Sequence, residues 1–276
     1  MNNGFKKESM KDYKGAFTDF TKAIILKSSL ADAYFGRGIT RYYLKDYSEA
    51  IYDFTTAIKK NPWQATYYYN RGMAEYSNHS RNKAIDDFTA AIGLNTFYAE
   101  AYAYRGLVKS DMHDAKGAND DYSKAIEINP VYEGAYFNRG VLKMNFKDYK
   151  GAIADFTEAI KIDSTFVNAI INIGLATYYL DDYEGAINYF TKVITNNPKL
   201  AKAYFLRGII KINIQQKEQN RKTFISALET RQKEGKLRQL SEPVKFDKND
   251  IIFSDLRKAC ELGNKDAYEI IKTHTK

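Results

Sequence analysis

The stretch YFNRGVLKMNFKDYKGAIADFTEAIKID, Tyr136–Asp163, decides the fold. It carries a small residue at Gly140, an aromatic at Tyr149, and then Ala152, Phe156 and Ala159. The last three are spaced four and three apart, which places them on one face of a helix. Gly140 follows Tyr136 by four, on one face of a preceding helix. Two short helices folded back on each other satisfy both patterns. Small residues at Gly140 and Ala152 let the axes approach, and the rings fill the space above and below.

The same pattern recurs in steps of 34 residues. Gly4, Gly38, Gly72, Gly106, Gly140, Gly174 and Gly208 form one column. Ala16, Ala50, Ala84, Ala118, Ala152 and Ala186 form a second. Phe20, Phe54, Phe88, Tyr122, Phe156, Phe190 and Phe224 form a third, and Ala23, Ala57, Ala91, Ala125, Ala159, Val193 and Ala227 a fourth. Tyr34, Tyr68, Tyr102, Tyr136, Ile170 and Tyr204 keep the same step, as do Pro62, Pro130 and Pro198 with Ser28, Thr96 and Ser164 in the gaps. One hairpin cannot cover its own apolar face, so stacked neighbours must cover it.

These columns resemble the tetratricopeptide repeat family over residues 1 to about 214. The family pattern is met by Tyr136, Gly140, Tyr149, Ala152, Phe156, Ala159 and, at the phase of its proline, Ser164. The resemblance implies an all-α, right-handed superhelical solenoid of antiparallel helix pairs, A and B. Two features depart from the family. Arg37, Arg71, Arg105, Arg139 and Arg207 occupy a site usually given to Leu. Three residues after each glycine, where Tyr is common, stand Arg41, Glu75, Lys109, Lys143, Thr177 and Lys211.

The chain divides into a partial repeat at 1–30, with its B helix at about 11–27, and five full repeats over 31–200. A seventh A helix is expected at 201–216 and a charged insertion at 217–249, made of a helix and a polar loop. A capping helix pair is expected at 250–276, in which Asp255, Leu256 and Ala259 imitate a B helix. The tail resembles the closing helices of bacterial members of the family, and a polar-faced terminal helix is what a solenoid needs as a cap. The sequence begins in mid-repeat, so either the natural start lies elsewhere or the first hairpin is partly uncapped.

Bulk properties narrow the function. The four prolines in 276 residues favour helices, since proline costs ~3 kcal/mol inside one. The net charge of +8 permits an acidic partner, but it is spread out. Residues 215–250 hold nine Lys/Arg against six Asp/Glu. Cys260 is the only cysteine, so no intrachain disulfide forms. No run is apolar enough to span a bilayer, and MNNGFKKESMK has no secretion-signal core, so the sequence as written reads as cytoplasmic unless its start is incomplete.

No reaction chemistry is visible, and no cofactor or metal is expected. There is no HExxH, GxSxG, Walker or CxxC motif. His79 and His113 fall in the same A–B turn of neighbouring repeats, and they read as solvated loop residues. The arginine column has a structural reading. Arg37, Arg71, Arg105 and Arg139 each stand sixteen residues before Asp53, Asp87, Asp121 and Asp155, and Ile173 and Tyr189 replace both members together. An Arg–Asp pair between the helices of a hairpin is expected, so Arg139→Ala should lower stability and leave ligand binding unchanged. Arg207 with Thr223 breaks the rule at the end.

The resemblance also implies a groove lined by A helices. Its rows would be Phe35, Tyr69, Ala103, Phe137, Ile171 and Phe205; then Ile39, Met73, Leu107, Val141, Leu175 and Ile209; then Tyr42, Tyr76, Ser110, Met144, Tyr178 and Ile212. The middle row reads as core between helices. The expected peptide-binding residues are Phe35, Tyr42, Tyr69, Asn70, Tyr76, Phe137, Asn138, Met144, Asn172, Tyr178 and Phe205. Tyrosines bury area at low entropy cost and keep a hydroxyl. The expected function is a non-catalytic scaffold or adaptor that holds a peptide or helix of a protein partner. The alternatives are self-association into a homo-oligomer through the partial N-terminal repeat and, less favoured, nucleic-acid binding, since the tyrosines follow the core columns too closely to be a stacking platform.

Overall fold

The computed structural model describes residues 12–234 and 253–274, with side chains of 220–221 and 223–234 outside the description. It is an all-α helical repeat solenoid. The chain forms two compact units, one ending at Leu142 and one beginning at Lys143. In the first, α1 (Tyr13–Leu26), α3 (Tyr47–Lys60), α5 (Arg81–Leu94) and α7 (Ala115–Ile128) are B helices. The A helices are α2 (Ala31–Tyr43), α4 (Ala65–Ser77) and α6 (Ala99–Asp111), and α8 (Glu133–Asn145) closes the unit. The second unit contains α9 (Tyr149–Ile162), α10 (Val167–Tyr179), α11 (Tyr183–Asn196), α12 (Ala201–Glu234), α13 (Ser254–Glu261) and α14 (Lys265–His274). Within each unit helices pack mainly on their neighbours in sequence, and α2 also meets α4 as α4 meets α6.

The columns are the core. Ala50, Phe54 and Ala57 in one hairpin and Ala152, Phe156 and Ala159 in another are fully buried. The A-helix glycines make this possible. A Cβ on Gly38 would lie 2.7 Å from the Phe54 ring, and one on Gly72 or Gly174 would lie 3.0 Å from Phe88 or Phe190. A further column was not evident from the sequence. Ala33, Ala101, Ala135, Ala169 and Ala203 are buried at the same step, and Tyr67 fills that step in α4. The Tyr67 hydroxyl donates to Asp32 at 2.5 Å.

Turns repeat as closely as helices. Two residues beyond the ends of α2, α4, α6, α8 and α10 stand Lys45, His79, His113, Lys147 and Asp181, with left-handed φ between 62° and 65°. The next amide then bonds back across the turn, as Asp46 N–H to the Arg41 carbonyl at 2.9 Å and Asp114 N–H to that of Lys109 at 2.9 Å. B helices start on an aspartate cap where the third helical residue is glycine. Asp12, Asp114, Asp148 and Asp182 accept from the amides of Gly15, Gly117, Gly151 and Gly185 at 2.9–3.0 Å. Where Glu49 or Lys83 stands in place of that glycine, Asp46 and Ser80 form no side-chain cap bond. A Cβ on Gly117, Gly151 or Gly185 would collide with the capping carboxylate, which explains the pairing.

The structure around α12 differs from the expected boundary at 216. The A helix expected to end at 216 and the charged helix expected from 217 are one continuous helix, 201–234. Arg207, which has no aspartate sixteen residues on, is paired instead with Asp255 at 2.7 Å. Correspondingly, a Cβ on Gly208 would meet Leu256 at 2.9 Å, so α13 lies on α12 as a B helix lies on its A helix. The polar loop expected within 217–249 falls outside the described residues, as do residues 1–11.

Candidate interaction surface

Three of the expected pairs, all in the first unit, are larger than the spacing implied. Arg37 places Nε and Nη2 on the two oxygens of Asp53 at 2.9 and 2.7 Å. Arg71 does the same to Asp87 at 2.9 and 2.6 Å, and Arg105 to Asp121 at 2.9 and 2.7 Å. Each guanidinium also lies over the tyrosine three residues before it. Arg37 is 5.7 Å from the Tyr34 ring and Arg105 is 5.4 Å from that of Tyr102. The remaining nitrogen reaches back to the preceding B helix, from Arg71 to Thr55 at 3.2 Å and from Arg105 to Thr89 at 3.1 Å. The column therefore ties one repeat to the next as well as A to B. In α10 the tyrosine and arginine are Ile170 and Ile173, and Ile173 is 2% exposed. An apolar plug takes the place of the whole polar assembly there.

On the A-helix face of the first unit, Phe35 packs on Phe54 and Tyr67, with ring centroids 5.8 and 4.8 Å apart. Tyr69 is surrounded by Phe88, Tyr98 and Tyr104 at 5.0–5.8 Å, and burial pushes its hydroxyl pKa up. Phe35 and Tyr42 share one cluster around Ala50, Phe54 and Ala74, and Tyr69 and Tyr76 share the next around Ala84, Phe88 and Val108. Asn70 spends its amide on the Thr66 carbonyl at 2.8 Å. Phe137 and Asn138 are half-buried on α8. In the second unit, Met144 and Asn172 are half-buried, and Phe205 packs on the cluster of Ile212, Phe253, Leu256, Ala259 and Ala267.

The first row is not a continuous surface. Ala103 and Ile171 stand in line with Phe35 and are only 2% and 3% exposed. At those two steps the row is core. In the third row Ile212 is likewise buried at 2%. The tyrosines of that row are half-buried and held by bonds to the next A helix, always 35 residues on. Tyr42 accepts from the Ser77 hydroxyl at 3.4 Å, Tyr76 donates to Asp111 at 2.5 Å, and Tyr178 accepts from Asn213 at 2.9 Å. Burial and Asp111 push the Tyr76 hydroxyl up to about 12, so it remains a donor at neutral pH.

A pattern missed in the sequence surrounds this row. Tyr42 lies 5.7 Å from Tyr43 and 5.6 Å from Tyr47, while Tyr13 stacks on Tyr43 at 5.0 Å. In the second unit Tyr178, Tyr179, Tyr183 and Tyr149 repeat the set, with distances of 5.5, 5.5 and 5.1 Å. The offset is four repeats for all four residues, so the signal was present in the tyrosine positions. Tyr43 and Tyr179 are 55% and 53% exposed. A cleft of about 550 Å³ in the second unit lies elsewhere, lined by Lys211, Ile214, Gln215, Glu218, Gln219, Lys222 and Ser254.

Among the described residues no three of His, Cys, Asp and Glu are arranged to hold a metal ion, and no helix is long and apolar enough to cross a membrane. His79 and His113 are exposed at their left-handed turn positions. Cys260 is partly buried, and burial raises its thiol pKa.

Comparison with known proteins agrees with the repeat fold. Sequence models of the tetratricopeptide repeat match residues 31–63, 133–166 and 167–200. Among solved structures, MamA is 27% identical with a TM-score of 0.54, over 59% of this chain and 96% of that one. YrrB, described as a TPR protein with an unusual peptide-binding site, is 23% identical with a TM-score of 0.53, over 67% and 95%. A tetratricopeptide repeat protein from Parabacteroides merdae ATCC 43184 is 18% identical with a TM-score of 0.64, over 98% and 95%. The curated proteins contain no match.

Proposed function

The chain belongs to the tetratricopeptide repeat family, whose fold serves as a protein–protein interaction scaffold, and we propose that its A-helix face holds a peptide segment or helix of a partner protein. The contacts fall to Phe35, Tyr42, Tyr69, Asn70, Tyr76, Phe137 and Asn138 in the first unit, and to Met144, Asn172, Tyr178 and Phe205 in the second. Tyr42, Tyr76 and Tyr178 are the anchors.

The observation that carries this reading is the tethering of those anchors. Each tyrosine is packed on one side and bonded to the following A helix, yet is only half-buried. A ring already fixed in place loses little entropy when a partner covers its open side. The hydroxyl of a tethered tyrosine keeps unused hydrogen-bonding capacity for a partner backbone. Phe35 and Tyr69 are more deeply engaged in packing, so they form the floor. YrrB is described as having a peptide-binding site, which supports the reading at the level of the fold.

The test is affinity capture from the source cell with the wild-type chain and with Tyr42→Ala/Tyr178→Ala, one substitution in each unit. The partner should be lost from the double variant while its helical circular dichroism persists. Capture at unchanged affinity by the folded double variant would overturn the proposal. Weak dependence on salt is expected, whereas a steep loss with rising salt is the mark of nucleic-acid binding.

A further inference from the structure

One clamp aspartate lacks the second cation its counterparts have. Three residues after the column glycine, Arg41 reaches Asp53 at 2.6 Å, Lys109 reaches Asp121 at 2.8 Å, Lys143 reaches Asp155 at 2.7 Å and Lys211 reaches Asp255 at 2.7 Å. In α4 that position is Glu75. Asp87 below it receives Arg71, whose fork engages both carboxylate oxygens. Glu75 is only 6% exposed. Among the described residues its carboxylate has no hydrogen bond and no ion pair, and Arg71 acts on it through its field alone.

Glu75 and Asp87 open onto a cleft of about 270 Å³, whose other walls are Arg71, Lys83 and Asp86. Three carboxylates thus face two cations, whereas the four counterparts place a second, bonded cation on the clamp aspartate. The volume exceeds the ~30 Å³ share of one water and has room for a head group with several carbons. The Glu75 carboxylate reaches solvent only through this cleft, and a cation bound there gains the attraction of both Glu75 and Asp87. Asp87 shows the deficit: burial holds it above the usual carboxylate range, while Asp255, beside Arg207 and Lys211, is held below it.

We propose that the cleft between α4 and α5 binds an alkylammonium group, supplied by a lysine side chain of a partner or by a free polyamine. The head group takes the place that the Lys109 ammonium takes in the next repeat, against Asp87 Oδ2 and the Glu75 carboxylate. An ammonium is what Lys109, Lys143 and Lys211 supply at this position in three of the four counterparts. Lys83 is exposed at the rim and is the internal competitor. This site is independent of the A-helix tyrosines.

The experiment is isothermal titration of the full chain at low salt with two probes, spermidine and N-acetyl-lysine methylamide. Saturable binding to the wild type is expected. Glu75→Gln should weaken it by about tenfold or more, the order of one charged hydrogen bond. Glu75→Lys installs the cation found in the other repeats, so it should abolish binding and raise the Tm. Lys83→Ala should tighten binding. Preference for spermidine assigns a free polyamine, and preference for the lysine derivative assigns a partner side chain. No saturable binding to the wild type, or unchanged affinity in folded Glu75→Gln, overturns the proposal.

Discussion

Removing the carboxylate of Asp53 tests the physical account of the fold most directly. Asp53 is fully buried and receives three charge-assisted hydrogen bonds, from Arg37 Nε, Arg37 Nη2 and Arg41 Nη1, at 2.9, 2.7 and 2.6 Å. Such bonds contribute roughly 1.5–3 kcal/mol each, but the gross sum overstates the loss because both partners are solvated in the unfolded chain. Removing one member of a buried pair costs about 3–5 kcal/mol. The arginine side chains are 14% and 15% exposed and recover some hydration, which puts Asp53→Ala near the lower end, about 3 kcal/mol. The assay is urea denaturation of Asp53→Ala, Arg37→Ala and the double variant. Their coupling energy should reach about 2 kcal/mol, since the two side chains share one network. Arg37→Ala should cost less than Asp53→Ala, because Arg41 still neutralises the aspartate. A loss below about 1 kcal/mol with no coupling would place the pair in the class of solvated surface bridges and refute the argument. Repeat proteins need not unfold in one step, so hydrogen exchange of the α2 and α3 amides is the local check.

Other perturbations have signs that follow from the same geometry. Gly38→Ala should destabilise by roughly 1–3 kcal/mol, because its Cβ would stand 2.7 Å from the Phe54 ring. Gly93→Ala should instead stabilise by up to about 1 kcal/mol, since nothing lies within 4 Å of the new Cβ and the helix gains a better former. His113→Gly should stabilise by roughly 0.5–1 kcal/mol, seen as a higher urea midpoint, because φ there is 65°. The pKa of Asp255 is depressed when folded, so its contribution is present above the ordinary carboxylate value near 4 and is lost as pH falls through the folded value. Acid titration of stability should therefore be shallower in Asp255→Asn than in the wild type. Asp87, raised by burial, has the opposite sign: its contribution declines as pH rises above about 4.

The core was legible because it obeys one period. A small residue at Gly38, an aromatic at Phe54 and alanines at Ala50 and Ala57 satisfy helix spacing and hairpin spacing together, and few other folds do. The Arg–Asp pairs were legible for the same reason, through the joint replacement of both members at Ile173 and Tyr189. The Ala33 column was hidden because alanine is common in any helix. Its identity as core depended on the neighbouring B helix. The candidate surface was the least legible. Phe35 and Ala103 occupy one register, yet the first is half-buried and the second buried. Their neighbours differ: Phe35 packs on the Tyr67 ring at 4.8 Å, whereas Ala103 packs with Ala125 and Ala135.

By itself, then, the amino-acid order determined the helix pairs, their 34-residue step and the residues that close each hairpin, because these are local periodicities and nearest-neighbour contacts. Tertiary structure alone decided what is far apart in sequence. It brought Asp255 to Arg207 across 48 residues, and it joined two expected helices into the single helix 201–234. It also turned Glu75, one irregular letter in a cationic column, into a buried carboxylate facing an open cleft, since burial and partnership are properties of the packed neighbours and not of the residue.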